Sequence, residues 1–481
     1  MFRLRRQDQP KIHLGVRSNS IPLWPTNLSL HADDYRLHQW VIGISRSGKT
    51  GYLETQILQL IKHGIGMSFV DPAGDAAEDI LRILVAEGFF ALPDALDRLW
   101  YFEFEEDENA AFPAFNVLNQ PTVPANVVAS QVLEGFHRTW PALAAGAAPM
   151  FDTLLLLGTK ILIHNHLPLP ALFRLLTERA FRDSLLERVP DPDLVSYFHE
   201  NFDHLGRNDA VDAVQSAIRR LVLLTFSPVL RYALGQSENI LDFSRFMNTK
   251  MAVIYNLGKV QSQEARRLIG GLIAKGYEDA AFARQALPAE SRFQHHLILD
   301  EFAEFSNTTE QALSRFLSQT RKFGLFCTLA HQTFSQTSKR LQGALQNAEL
   351  NVAFRVGRED GEILAKQLFD VDVQRIKSEP MTERSQPVFA PLLEQWEVAV
   401  QALTNQRPRR AWVRVGAESA VPIRTLTLSN ARVDQARVDE IRSAYREKLM
   451  RPKRQILLPY QATQSVTTTT RTSPRRSKLP P

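Results

Sequence analysis

Apolar positions along the chain keep two rhythms that take turns. Val41 and Ile42 close a short apolar run, after which Leu53, Ile57, Leu58, Leu60 and Ile61 recur at the three-and-four spacing of one helix face. Gly66 to Val70 reads as a buried strand, 76–84 as a helix and 99–104 as another strand. That βαβ alternation predicts a parallel sheet. From 119 to 239 the strand rhythm is missing. Helical spacing covers 125–136, 150–164, 170–188, 193–200 and 209–224, punctuated by Pro190-Asp191-Pro192 and by Leu205-Gly206-Arg207-Asn208.

Alternation resumes with strands at 251–256, 297–299, 326–330 and 351–356 and helices at 263–284, 310–322, 338–345 and 360–369. The polar stretch from 370 to 391 reads as a loop or short helix. Runs 410–415 and 423–428 suit a β-hairpin, and 436–449 a terminal helix. Ahead of all this, 13–16 and 27–30 are short extended segments interrupted by Pro22 and Pro25, as in an edge hairpin. The expected division is an N-terminal β segment (1–37), an α/β domain in two pieces (38–118 and 246–430), an all-α insertion (119–245), and a C-terminal helix with a basic, disordered tail (431–481).

Composition changes this picture little. The chain has 481 residues, 44% of them hydrophobic and 23% charged, the profile of a soluble protein of two or three domains. A net charge of +5 is compatible with nucleic acid without requiring it. The basic excess gathers at the end, where 451–481 carries seven Lys and Arg and no acid. The single cysteine, Cys327, sits in an apolar run and excludes an intrachain disulfide framework. No signal peptide is legible. The longest mainly apolar run, 154–163, contains Lys160 and falls short of the roughly 20 residues a bilayer span needs. A cytoplasmic protein is expected, reaching the inner face of the membrane only through partners.

The chemistry concentrates in three places. Gly43-Ile44-Ser45-Arg46-Ser47-Gly48-Lys49-Thr50 fills the G-x-x-x-x-G-K-[ST] pattern between a strand and a helix. Glycine lets such a loop curl and aim backbone N–H groups at phosphates, and the helix start adds its dipole. The expected nucleotide contacts are Gly43, Ser45, Arg46, Ser47, Gly48, Lys49, Thr50 and Gly51. Among them Lys49 is to meet the β- and γ-phosphates, and the Thr50 hydroxyl Mg2+. Second, the strand ending in Asp300-Glu301 delivers two carboxylates, Asp300 to hold Mg2+ and Glu301 to act as general base on water. Third, Gln332 ends the next strand and suits a γ-phosphate sensor. Arg321, at a helix end, reads either as an arginine finger across a subunit boundary or as a cation facing the helix dipole, with Arg355 and Arg358 as rival fingers. Asp71, in Asp71-Pro72-Ala73-Gly74-Asp75, reads equally as a ligand-edge carboxylate or as a turn and capping residue.

Taken in order, HQWVIGISRSGKT, FVDPAGD, LILDEFAEF, TRKFGLFCTLAHQ and NVAFRVGREDGEILAKQL resemble the HerA–FtsK superfamily over about residues 27–430. Within it the chain is most similar to the TraD/TraG-type coupling ATPases of conjugative type IV secretion. The resemblance implies a RecA-like P-loop ATPase core interrupted by an all-α domain, a homo-hexameric ring, ATP and Mg2+ as ligands, and sequence-independent DNA pumping alongside relaxase and secretion-channel proteins. It puts Arg321 at the finger position and Gln332 at the sensor. Two departures stand out. The family's loop usually carries glycine at Arg46 or at one residue beside it, and the transmembrane helices of membrane-bound coupling proteins have no counterpart. The second departure keeps open a soluble HerA-type ATPase of DNA processing or phage defence, working with a nuclease.

Overall fold

The apolar runs become strands β1 (Lys11–Arg17), β2 (Asn27–His31), β3 (Gln39–Ile42), β4 (Gly66–Asp71), β5 (Leu99–Glu105), β6 (Ala111–Pro113), β7 (Ala252–Lys259), β8 (His295–Leu299), β9 (Leu325–His331), β10 (Leu350–Ala353), β11 (Arg410–Val415), β12 (Val421–Arg424) and β13 (Met450–Pro452). The computed structural model describes residues 9–18, 26–107, 109–140, 149–204, 218, 220–304, 317–336, 343, 345, 348–374, 390–428 and 433–461. Most of the helices expected at 209–224, 310–322 and 338–345, and of the basic tail, lie outside those residues.

Eleven strands form one sheet in the order β2-β1-β12-β11-β10-β3-β9-β8-β4-β7-β5. The seven from β10 to β5 are parallel. β11, β12, β1 and β2 extend the sheet antiparallel. Every residue of β3, β4, β8, β9 and β10 is buried, which is why these strands read as near-continuous apolar runs. His295 and His296 lie inside β8 as core residues. His295 Nε2 is 2.9 Å from Ser68 Oγ, and His296 packs between Tyr35 and Phe326. Burial lowers the His296 pKa to about 3, so the ring is neutral.

Helices Lys49–Lys62, Asp75–Ala86 and Gln263–Ala283 each follow a parallel strand as crossovers. Beyond β5, the last strand in the order, helix Gln435–Leu449 is fastened by Tyr445, whose hydroxyl donates to Leu99 O (2.7 Å), and by Arg446, 2.6 Å from Glu103 Oε2. Its cover hides a sheet edge that would otherwise invite pairing.

Between β6 and β7 the regular elements among the described residues are all helices, with one isolated bridge from Phe115 to Asn239. This is the expected all-α interruption of a mainly parallel sheet. Helix Ala125–Thr139 lies along Gln263–Ala283 so closely that a Cβ on Gly135 would stand 2.8 Å from Leu272. A charge cluster clamps the same seam. Lys275 Nζ is 3.0 Å from Glu134 and 2.5 Å from Asp279, and Glu278 is 3.9 Å away.

Several elements differ from expectation for local reasons. The helix expected over 170–188 is two, Ala171–Thr177 and Arg179–Leu186, because Glu178 takes an extended backbone. The one expected at 193–200 becomes Pro192–Ser196 followed by a π-helical turn Tyr197–Phe202, which buries both Phe198 and Phe202. β12 ends at Arg424, one hydrogen bond short of the last rung of its ladder with β11, Thr425 N–H to Arg409 O (2.9 Å). Helix Leu392–Thr404 was hidden by its polar approach, although Trp396, Ala399, Val400 and Leu403 keep helical spacing. β6 and β13 pair across more than 330 residues of chain, a contact with no local signal. No described helix is long and apolar enough to cross a membrane.

Burial pushes the Asp279 carboxyl up to about 6, against the pull of Lys275. Between roughly pH 4 and 6 the folded chain therefore holds a proton that the unfolded chain has released, and stability falls as pH rises through that window. Asp279→Asn is expected to flatten this part of the profile while Glu134 and Glu278 keep Lys275 paired. Urea unfolding at half-unit pH steps measures it, and an unchanged slope would count against a buried, protonatable Asp279.

Candidate nucleotide site

Three parallel strands end side by side, and their ends make the site. β9 lies between β3 and β8. β3 runs into the loop from Gly43, β9 into Gln332, and β8 into Asp300-Glu301. Ligands of parallel α/β sheets bind at this carboxyl edge.

The loop is tied down at each end. Gly43 N–H donates to His331 O (3.2 Å), Ile44 N–H to Arg355 O (2.9 Å), and Arg409 N–H to Ser47 O (2.8 Å). Gly48 has φ +105°, and a Cβ there would stand 2.9 Å from the Arg409 nitrogen. Conformation and space both require glycine. Gly43 is also constrained, since its Cβ would meet Phe354 at 2.5 Å and Ser47 Oγ at 2.8 Å. Arg46 has φ +61° with its side chain exposed, so it takes the left-handed turn glycine would supply and does not crowd the loop. Ser45 is exposed, Ser47 buried, and Thr50 and Gly51 half-buried at the start of helix Lys49–Lys62. That helix has no side-chain cap and no acid in its first turn, which leaves its leading N–H groups to an anion.

Lys49, Glu301, Asp300 and Gln332 converge. Lys49 Nζ is 2.6 Å from Glu301 Oε1 and 3.6 Å from Asp300 Oδ1. Gln332 Nε2 donates to the same Glu301 oxygen (3.0 Å), and its Oε1 accepts from Ser45 Oγ (3.2 Å). Gln332 thus bridges the loop and the carboxylates. Asp300 Oδ1 accepts from Glu301 N–H (2.9 Å). Glu301 is held at φ +45°, a conformation costly for a side chain and concentrated at functional positions. Burial pushes the Asp300 carboxyl up to about 6, with Glu301 and Asp71 adding to the rise and Lys49 opposing it.

Some participants carried no sequence signal. His331 Nε2 accepts from Trp40 Nε1 (2.7 Å), so its Nδ1–H faces Thr333 O (3.0 Å). Burial lowers its pKa to about 4, and this neutral ring fixes the strand end that presents Gln332. Glu54, one turn into the loop helix, is pushed up to about 7 by burial, with Asp79, Asp71 and Asp300 adding. Arg409 reaches the loop from a distant part of the chain. Asp71 resolves as a turn and capping residue, accepting from Ala73 N–H (3.0 Å) and Ala77 N–H (2.8 Å).

Arg321 is not brought to this edge. It precedes β9 and so lies about 20 Å away, at the opposite end of the strands. There it pairs with Glu349, half exposed, beside a cavity of about 890 Å3 that Arg36, Arg292 and Lys322 also line. Arg355 follows β10 at the loop's own edge, whereas Arg358 is paired with Glu397 (2.8 Å) and Glu362 (3.1 Å).

Gly48→Ala is expected to destabilise the protein without nucleotide by about 1–3 kcal/mol, from its φ and its contact with Arg409. Gly357→Ala, at φ −69° in open space, serves as the control and should cost far less. Urea midpoints of the two variants decide between loop strain and a generic glycine effect.

No protein-family model matches the sequence, and no curated protein matches it. Solved structures do match the fold. The unbound monoclinic form of the bacterial conjugative coupling protein TrwBdeltaN70 aligns with a TM-score of 0.54 at 16% identity, over 84% of this chain and 89% of that one. TrwB in complex with ADP and Mg2+ aligns at 0.52 with the same identity and coverage. VirB4 of Thermoanaerobacter pseudethanolicus aligns at 0.50 and 12% identity, over 86% and 96%. The chain therefore shares the RecA-like fold of the coupling protein TrwB.

Proposed function

We propose that the chain is an ATP-hydrolysing motor that moves DNA, or DNA with attached protein, in conjugative transfer or type IV secretion. The observation that carries the reading is the meeting of Lys49, Asp300, Glu301 and Gln332 at one point beside an uncapped helix start. The coupling-protein fold supports the setting.

The donor set fits a nucleoside triphosphate with Mg2+. Thr50 and Asp300 are the residues to hold the ion, which supplies positive charge to the β- and γ-phosphate oxygens. Loop N–H groups cradle phosphate, and the Lys49 ammonium exchanges its carboxylate partners for phosphate oxygens. Glu301, relieved of Lys49, orients water and accepts its proton. Gln332, bonded both to Glu301 and to Ser45, senses whether the γ-phosphate is present. Arg321, far from its own chain's Lys49, serves the site of a neighbouring subunit in a ring, best matched by a homo-hexamer. DNA is gripped through its backbone without sequence preference, with relaxase or channel proteins as further partners. The working place is the cytoplasmic side of the membrane.

Three measurements test this. Glu301→Gln should retain ATP binding and lose hydrolysis by about 10²–10⁴-fold. DNA should stimulate the parent protein at low salt, an effect that fades between about 50 and 200 mM; its absence at low salt would end the DNA reading. Lys49→Ala and Arg321→Ala, each inactive alone, should regain activity when mixed. A mixture as inactive as its parts would remove Arg321 from a neighbour's site.

A further inference from the structure

Three side chains of the helical block come together, and the nucleotide site uses none of them. Asp183 lies on helix Arg179–Leu186, His199 on the π-helical turn Tyr197–Phe202, and Asp203 just after that turn. Each offers one ligand atom, and these atoms all lie within 4.8 Å of one another. The turn sets this up. Phe198 and Phe202 anchor it in the core, and Asp203 N–H donates five residues back, to Phe198 O (2.9 Å). Turns of this π type gather at functional positions. His199 and Asp203, four residues apart, thereby share a face beside Asp183.

The two carboxylates are left incomplete. The Asp203 side chain is only 5% exposed. Its Oδ1 accepts from the Arg182 guanidinium, whereas its Oδ2 is buried and accepts no hydrogen bond from the protein. Asp183 Oδ1 is in the same condition. A buried carboxylate oxygen without a donor calls for an ion or a water. The neighbouring groups stand too far off to supply the bond. His199 Nδ1 is 3.9 Å from Asp203 Oδ2, and Arg179 Nε is 4.0 Å from that oxygen and 3.8 Å from Asp183 Oδ2.

Two cations set the charge of the cluster. Arg182 is buried and committed, since it also donates to Leu175 O (3.0 Å) and lies over the Phe202 ring. It cancels one carboxylate charge and fixes Asp203 in place. Arg179 is 73% exposed and free to turn into water. With Arg179 turned away, the cluster keeps one negative charge and an imidazole. One imidazole nitrogen with two carboxylate oxygens suits a borderline dication such as Zn2+ better than Mg2+ or Ca2+, which take shells of oxygen. Donor atoms around one such ion stand roughly 3–3.5 Å apart. Exposed His199 has the freedom to close the remaining distance.

We propose that Asp183, His199 and Asp203 bind a divalent cation of the Zn2+ class, with water completing its shell on the exposed His199 side. The ion supplies the partner that Asp183 Oδ1 and Asp203 Oδ2 lack. It staples helix Arg179–Leu186 to the π-helical turn across the Pro190-Asp191-Pro192 link. The site stands whether or not the loop after β3 binds nucleotide.

The test uses the full chain, stripped with a chelator and kept without nucleotide, with millimolar Mg2+ present to occupy all-oxygen sites. Zn2+ should then bind at one ion per chain. His199→Ala and Asp183→Asn should each weaken that binding at least about tenfold. Both keep the Arg182–Asp203 pair, which Asp203→Asn would break, leaving a buried charge stranded. Should either variant fail to fold, as far-UV circular dichroism would show, the other decides. Arg179→Gln removes a like charge and should tighten Zn2+ binding several-fold, whereas a metal-free ion-pair cluster would gain no affinity for Zn2+ from the change. Zn2+ should also slow hydrogen exchange over 179–202 in the parent chain and not in His199→Ala. A chain that binds no Zn2+, or binding that none of these variants changes, would overturn the proposal and leave Asp203 as the partner of Arg182 alone.

Discussion

The ends of β3, β9 and β8 finish side by side at one edge, and the site exists only because they do. A Lys49 ammonium 2.6 Å from Glu301 requires a loop leaving β3 and a carboxylate leaving β8 to meet across the width of an intervening strand. β9 is that strand, and Gln332 at its end closes the gap with hydrogen bonds to both sides. A slip of one residue in any of these parallel registers would turn the side chains at the strand end to the other face of the sheet. The ladders hold the registers in place, with Val41 beside Ala330 and Leu299 beside Leu329.

Strain gathers at the same place. Arg46, Glu301 and Arg409 are three of the five described non-glycine residues with positive φ, and all three touch the loop region or its carboxylates. Each costs on the order of 1–3 kcal/mol and persists only when surrounding structure fixes it. Here the fixing contacts are visible: the Asp300 cap on Glu301 N–H, and the Arg409 bonds to Ser47, Leu426 and Thr427. The burial that raises the Asp300 pKa belongs to the same economy. A carboxylate kept partly dry binds a cation more strongly than one in water.

Among the described residues, contacts that join the helical block to this core include two extended ones. One is the seam between helices Ala125–Thr139 and Gln263–Ala283, where Lys275 faces three acids. The other is the C-terminal segment, which lies over β5 and ends against the helices.

The sequence by itself determined the class of fold, the parallel strands, the glycine loop after β3 and the carboxylate pair after β8. These are written in local rhythm and short motifs, and neither needs distant partners to be read. Strand Arg410–Val415 and helix Gln263–Ala283 fell where their spacing put them. Tertiary structure alone decided the rest. Asp71, balanced between two roles, became a turn and cap because two backbone N–H groups lay within its reach. His331 acquired its role from Trp40, and Arg409 from Ser47, partners hundreds of residues away. Arg321 was separated from Lys49 by the length of a strand. A motif records which groups the chemistry needs. Which groups stand opposite them depends on strand order and burial, and these are settled by the whole chain packing at once.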